Sequence, residues 1–102
     1  MTDQISDTAA AAAFRRLVNH LQHRHDAENI DLMGLAGFCR NCLADWVMEA
    51  TEEAGGSMTK DEARAAIHGM PASEWKKKYQ TEATPERLKK MKESMAKNAD
   101  AS

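Results

Sequence analysis

Hydrophobic side chains recur at helical spacing through most of this chain, and no stretch shows the two-residue alternation of a β-strand. In the longest such stretch, residues 31–55, apolar side chains cover most of the circumference of a helix. A helix of this kind is buried between neighbours on at least two sides. Asp31 suits its N-cap and Gly55 its C-terminal glycine position. The pattern therefore predicts a long buried central helix at about residues 32–54.

The two faces of this central helix differ in the size of their side chains. Cys39, Cys42 and Trp46 fall on the face that carries the large apolar residues, so we expect Trp46 to be a core residue. Arg40 and Glu49 are among the few positions of the helix that require water. We therefore expect the two cysteines to be packed inside the domain, two turns into a continuous helix.

The other helices are recognised by their start signals, a capping residue or a proline at the first helical position. These signals lie at Ser6 or Asp7, at Thr59 with Glu62, at Met70-Pro71 and at Thr84-Pro85. The fold class predicted is all-α, with four to five helices packed around the central helix. The predicted segments are a disordered N-terminus (1–5), a helical core domain (6–83), a C-terminal docking helix (84–98) and a disordered tail (99–102).

The last helix offers an apolar stripe only three residues wide, with no obvious partner in the chain. One short chain has few large apolar residues left to cover it, so we expect a homodimer in which a twofold axis uses the same patch twice. The predicted interface consists of Gly34, Gly37, Asn41, Leu88, Met91 and Met95. In the competing arrangement the last helix folds back onto residues 34–44 of its own chain and the protein is a monomer.

Composition makes some functional classes less suitable but does not identify the function. The net charge is −2 at neutral pH, with acidic side chains dominating residues 1–72 and basic ones dominating residues 73–98. No run of about 18 apolar residues exists, and no segment has the pattern of an export signal. We therefore expect a cytoplasmic protein without a membrane span, in which both cysteines are reduced.

The spacing Cys39-Arg-Asn-Cys42 allows three interpretations. A redox pair is disfavoured, because reactive pairs lie where a helix begins and these cysteines are predicted to lie inside one. Zinc binding is possible if His20 and His23, at the end of the first helix, supply further ligands. Plain core packing is favoured over metal, because cysteine is among the most buried residue types. No cofactor is expected, with zinc as the one candidate.

Trp75 and Tyr79 lie among lysines, an arrangement that also occurs where proteins stack single-stranded nucleic acid. Nucleic-acid binders usually carry a pronounced basic excess, which this chain lacks. We therefore interpret the two aromatic residues as anchors of a short helix, and we expect no nucleic-acid partner.

Three sequence blocks, NIDLMGLAG, FCRNCLADW and GMPASEWKKKYQTEAT, resemble a short bacterial family known as domain of unknown function 1244. The resemblance covers about residues 14–85 and implies a compact all-helical protein, with no established activity to carry over. Two departures occur: Val47 and Ala72 stand where the family pattern leads us to expect tyrosine. Any role that would need a phenol at those positions is therefore in doubt.

The sequence thus leaves three functional classes in competition. An interaction or structural module, acting as a homodimer or with an unknown protein partner, leads because the candidate chemistry is thin. A zinc-binding protein using Cys39, Cys42 and His20 is the alternative. A small enzyme or a single-stranded nucleic-acid binder comes third, and no set of residues has the spacing of a catalytic site.

Overall fold

A computed structural model describes the backbone of residues 1–101 and the side chains of residues 1–99. After a 3₁₀ turn at Thr2–Gln4, the helices are α1 (Asp7–His23), α2 (Asn29–Ala36), α3 (Arg40–Glu53), α4 (Lys60–His68), α5 (Ala72–Tyr79), α6 (Pro85–Ala96) and α7 (Asn98–Ala101). This part of the chain contains no strand, which confirms the all-α class. Helices of eight residues or more number six, one more than the largest number predicted. None of the described helices is long and apolar enough to span a bilayer.

The long central helix predicted at 32–54 is wrong, because the chain breaks there into α2 and α3. Gly37 has a φ of +73°, in the left-handed region, and its amide donates to Met33 O at 3.0 Å, which ends α2. Glycine adopts this conformation without the penalty that a Cβ atom would bring. A Cβ atom on Gly37 would also collide with the side chain of Asn98, whose Nδ2 donates to Gly37 O at 2.8 Å. The break is therefore fixed both locally and by the start of α7.

The start signals predicted at Ser6, Thr59 and Thr84 are confirmed, whereas Asp31 lies inside α2 and Pro71 precedes the first residue of α5. Ser6 Oγ accepts from the Ala9 amide at 3.1 Å and begins α1. Thr59 and Glu62 form both halves of a capping box at the start of α4, and Gly69 ends that helix in the left-handed region. Thr84 accepts from the amide of Arg87 at the start of α6. Each device satisfies backbone groups that the helix itself leaves without a partner.

The core is small and forms between α1, α3 and α4. Its buried members are Leu21, Leu43, Ala44, Ala63 and Ile67. Half-buried side chains pack against them, namely Phe14, Val18, Leu32, Phe38, Val47, Met48 and Met58. The core position predicted for Trp46 is wrong, since 53% of Trp46 is exposed, whereas only 1% of Trp75 in α5 is exposed. The core face of α3 carries Leu43, Ala44, Val47 and Met48, so Trp46 lies outside it, and α5 supplies the buried tryptophan instead.

Helix α6 packs along α2 of the same chain. A methyl group placed on Gly34 would lie 3.3 Å from Lys90 Cγ and 3.6 Å from the backbone nitrogen of Met91. The small residue on α2 thus lets α6 approach closely, which is the fold-back arrangement that the sequence left open. The division into segments 1–5, 6–83, 84–98 and 99–102 stays a prediction, and residue 102 of its last segment lies outside the described residues.

A polar cluster reinforces this docking at the start of both helices. Arg87 on α6 forms two hydrogen bonds with the carboxylate of Asp31, at 2.9 and 3.0 Å. Its Nη2 also reaches Glu28, at 3.0 Å. Glu28 is buried, and it accepts from both the amide and the hydroxyl of Thr81, at 2.6 and 2.7 Å. These contacts hold the connection between α5 and α6 against the start of α2.

Candidate functional site at the start of helix α3

The two cysteines lie at the first turn of α3, so their predicted position inside a continuous helix is wrong. Cys39 is the N-cap residue, with extended backbone angles (φ −148°, ψ −177°), and Cys42 is the third residue of the helix. Both thiols are free, and their Sγ atoms are 3.9 Å apart. The break at Gly37 creates this arrangement, because it makes α3 begin at Arg40.

The two thiols differ in their access to solvent. Only 3% of Cys39 is exposed, whereas Cys42 is partly exposed. Burial raises the pKa of the Cys39 thiol, and the neighbouring Cys42 sulfur acts in the same direction. The backbone amides of Cys42 and Asn41 oppose this rise by favouring the thiolate. Of the two sulfur atoms, that of Cys42 is the one that a reagent in solution meets first.

Arg40, between the cysteines, was predicted to face water but is only 1% exposed. Its Nη1 donates to Ala27 O at 2.7 Å and to Asn29 Oδ1 at 3.1 Å. Its Nη2 donates to Leu21 O at 3.1 Å and to Arg24 O at 2.9 Å. These acceptors are all neutral, and two of them are carbonyls at the negative end of the α1 dipole. The guanidinium thus ties the start of α3 to the end of α1 and to the loop that follows it.

A layer of aromatic rings covers the other side of Arg40. The guanidinium carbon lies 4.9 Å from the centroid of the Trp75 ring, within the range of a cation–π contact. Trp75 Nε1 donates to His25 Nδ1 at 3.2 Å, and the His25 ring stacks on Tyr79 with centroids 3.8 Å apart. The buried ring of His68 meets Trp75 edge-on, at 5.0 Å. The aromatic residues of α5 are therefore anchors in this fold, as the sequence analysis proposed.

This layer makes stability depend on pH. Burial lowers the pKa of His25 and of His68 below the usual 6.5, and the charge of Arg40 lowers both further. Below about pH 6.5 the unfolded chain therefore binds more protons than the folded one. The stabilisation is complete above that pH and decreases as the pH falls through the lowered pKa values. Protonation of His25 Nδ1 would also remove the acceptor for Trp75.

We accordingly expect the melting temperature to fall between pH 7.5 and pH 5.5, a range above the acid transitions of ordinary carboxylates. Thermal melts followed by circular dichroism at several pH values measure this slope. The slope should be smaller in His68→Gln, while His23→Gln, at the exposed end of α1, serves as the control. A melting temperature that stays constant over this range would contradict the expectation.

An exposed apolar surface lies next to the cysteines. Leu35 is 75% exposed on α2, and Trp46 is 53% exposed one helical turn after Cys42 on α3. The half-buried ring of Phe38 stacks on Trp46, with centroids 6.3 Å apart and planes inclined by 21°. We call Leu35, Phe38 and Trp46 the Trp46 surface. Of these residues, Phe38 and Trp46 are in contact, and large apolar side chains that lie together at the surface are typical of binding sites.

The residues predicted for a zinc site are only partly brought together. Cys39 and Cys42 are adjacent, whereas His20 and His23 are exposed on the last turn of α1, where His23 Nδ1 contacts Asn19 O at 2.7 Å. Among the residues that the structure describes, no three His, Cys, Asp or Glu side chains are grouped so that they could hold a metal ion. The zinc site stays a prediction for which this chain supplies two adjacent ligands.

The residues predicted for a dimer interface are distributed over three places. Gly34 and Met91 meet within the chain where α6 crosses α2, and Gly37 is buried against Asn98. Asn41 is partly buried in the first turn of α3, and Leu88 is the exposed member of the α6 stripe. Contact with a second copy through any of these residues stays a prediction.

A protein-family model described as "Protein of unknown function (DUF1244)" matches residues 27–93 of the chain. A search of curated proteins finds no match. The matched region begins in the loop after α1 and ends within α6. It therefore contains both cysteines, Arg40, Trp75 and the whole Trp46 surface.

Proposed function

The chain belongs to the DUF1244 family, whose function is unknown, and from its exposed apolar residues we propose that it is an interaction module that forms a homodimer. The observation that carries this proposal is the exposure of Leu35 and Trp46 within the matched region. A large apolar side chain in water forgoes the roughly 1.5–3 kcal/mol that its full burial would contribute. In a chain with so small a core, this exposed apolar area favours a partner.

A second copy of the chain is the partner that we propose. In a twofold dimer the Trp46 surface would face its own copy, because such a contact uses one patch twice. Tryptophan is enriched among the residues that contribute most to protein interfaces. This proposal places the interface at the Trp46 surface and not at the residues predicted from sequence, because Gly34 and Met91 already contact each other within the chain.

Zinc binding through Cys39 and Cys42 is the alternative proposal. One observation favours it: two thiolates on a tetrahedral zinc ion, with Zn–S bonds of about 2.3 Å, lie roughly 3.8 Å apart. The observed separation of the Sγ atoms is 3.9 Å. A structural zinc site needs four ligands, so two more, such as His20 and His23, would have to join the pair.

Sedimentation equilibrium at micromolar concentrations tests the homodimer. We expect wild-type protein to approach twice the chain mass of 11.3 kDa, and a Leu35→Asp, Trp46→Asp variant to remain at the chain mass. Both charges would be buried without a partner in the dimer but solvated in the monomer. Leu17→Asp, at an exposed leucine on α1, is the matched control and should still dimerise.

A Leu88→Asp variant separates this interface from the one predicted on α6. Loss of the dimer in Leu88→Asp together with its retention in Leu35→Asp, Trp46→Asp would return the interface to α6. A wild-type protein that sediments at 11.3 kDa at every concentration would remove the homodimer altogether.

A further inference from the structure

The geometry of the cysteine pair differs from that of two cysteines within a regular helix. Side chains three apart in a helix have Cβ atoms about 5–6 Å apart, too far for a disulfide. Cys39 is instead extended and stands outside the helix, which brings its Sγ to 3.9 Å from that of Cys42. A disulfide requires about 2.05 Å between the sulfurs. The two sulfurs must therefore approach each other by about 1.9 Å for a disulfide to form.

The cysteine pair lies close to two sources of positive electrostatic potential. Cys42 lies in the first turn of the 14-residue helix α3, where the positive end of the helix dipole stabilises negative charge. Arg40, between the cysteines, donates its hydrogen bonds to neutral oxygens, and the carboxylate of Asp26 interacts with its charge without accepting one of them. That charge interacts favourably with the Cys39 sulfur. The Cys39 sulfur thus lies near the charge of Arg40, and Cys42 lies at the positive end of the helix dipole.

We propose that Cys39 and Cys42 form a thiol–disulfide exchange site, a chemical activity that goes beyond the interaction role proposed above. Its substrate class is a disulfide of another molecule. Cys42 attacks first, because it is the partly exposed residue of the pair and Cys39 is buried.

The exchange proceeds in two steps. The Cys42 thiolate forms a bond to one sulfur of the substrate disulfide, whose S–S bond breaks, and the other sulfur leaves as a thiolate that takes up a proton. Cys39, after losing its proton, then attacks Cys42 Sγ and expels the second substrate thiol. In total the substrate disulfide gains two electrons and two protons, and the cysteine pair loses them to become a disulfide. The reverse sequence reoxidises a dithiol at the expense of the Cys39–Cys42 disulfide.

The buried position of Cys39 gives it the resolving role. A mixed disulfide on Cys42 places the attacked sulfur next to Cys39, so the second step occurs within the protein and needs no further collision. Substrates too large to enter the core can therefore still be reduced completely. Arg40, tied to the carbonyl groups at the end of α1, holds the start of α3 in place during both steps.

Oxidised glutathione is the probe for a direct test on the full chain. Wild-type protein incubated with it should lose two hydrogens in mass, retain no glutathione and yield a Cys39–Cys42 peptide after digestion. Cys39→Ser should instead retain glutathione on Cys42, because the resolving thiol is missing. Cys42→Ser, whose remaining thiol is buried, should react at least roughly tenfold more slowly than Cys39→Ser, since exchange rates depend on access.

Several outcomes would overturn the proposal. Wild type that stays reduced in excess oxidised glutathione would do so, as would wild type that accumulates a stable glutathione adduct. Release of one equivalent of zinc when the thiols are titrated would assign the pair to a metal site instead. Circular dichroism shows whether each serine variant folds, and the disulfide peptide from wild type decides the matter if one does not.

The test is independent of the homodimer. The Leu35→Asp, Trp46→Asp variant retains both cysteines, so it should still form the internal disulfide even where it no longer self-associates. If wild type does not dimerise but loses two hydrogens, the interaction proposal fails and the exchange site stands. If it dimerises and stays reduced, the exchange site fails and the interaction proposal stands.

Discussion

Replacing Trp75 with alanine should destabilise the fold by about 3–5 kcal/mol, the range found when a large aromatic residue is removed from a core. Trp75 is only 1% exposed, and its ring lies against Arg40 and the edge of His68. Its indole N–H also donates to His25. The substitution therefore creates a cavity and removes a hydrogen bond, and it leaves the buried guanidinium without its aromatic neighbour. Urea denaturation of the purified variant measures the loss.

Trp46→Ala is the matched control for this prediction, since it removes the same side chain from an exposed site. Because 53% of Trp46 is already in water, we expect a loss of about 1 kcal/mol or less. Equal losses for the two variants would mean that Trp46 contributes as much to the core as Trp75. A larger loss for Trp46→Ala would contradict the described packing.

Arg40→Met should also destabilise the fold strongly, by about 3 kcal/mol or more. Methionine retains much of the length and apolar stem of arginine but cannot donate a hydrogen bond. The carbonyl oxygens of Leu21, Arg24 and Ala27, which are buried or partly buried, would lose this donor. Leu21 O and Arg24 O also accept from the amides of Arg24 and Ala27, so the cost comes from losing hydrogen bonds to a charged donor, each worth about 1.5–3 kcal/mol. The loss should appear as a lower urea midpoint with an unchanged dependence on urea concentration.

Arg24→Met is the control for the Arg40 substitution. The Arg24 side chain bonds only Asp26, in an exposed ion pair at 2.9 Å, and such pairs contribute little. We therefore expect its stability to remain near that of wild type. If Arg24→Met lost as much stability as Arg40→Met, removal of any arginine charge would explain the effect, and the buried hydrogen bonds would not.

Arg40→Met should also change the reactivity of the cysteines. The guanidinium fixes the start of α3 relative to the end of α1, and the backbone amide of Arg40 donates to Asn29 Oδ1 at 3.3 Å. Arg40→Met keeps the backbone bond to Asn29 but loses the guanidinium contacts, so the first turn of α3, which carries both thiols, is less well held. The Cys39 thiol should then react faster with a thiol reagent than it does in wild type.

The sequence by itself determined where most helices begin. Ser6, Thr59 and Thr84 cap their helices as predicted, and Gly69 ends α4. These signals can be recognised from sequence because capping joins a side chain to backbone groups two or three residues away. The all-α class followed from the same local evidence together with the absence of strand-like alternation. The family resemblance rested on the blocks around α2, α3 and α5, which lie within the matched region.

The candidate site was located in the sequence, but its position within a helix was predicted wrongly. Cys39 and Cys42 were singled out, yet a continuous helix placed them away from any helix start. Gly37 carried a signal for the break, because an isolated glycine within a helical pattern can be a C-cap. The surrounding apolar periodicity concealed that signal, since residues on both sides of a break can continue the same hydrophobic pattern.

Only the tertiary structure decided which side chains are buried. Arg40 looked like a solvent-facing position because its neighbours in sequence supply no partner for its charge. Its acceptors come from the end of α1 and the following loop, 11 to 19 residues earlier, and its aromatic cover comes from Trp75. The exposure of Trp46, which was predicted to be buried, has the same origin. Periodicity shows that a helix has an apolar face, but burial depends on which distant segments come to lie against it.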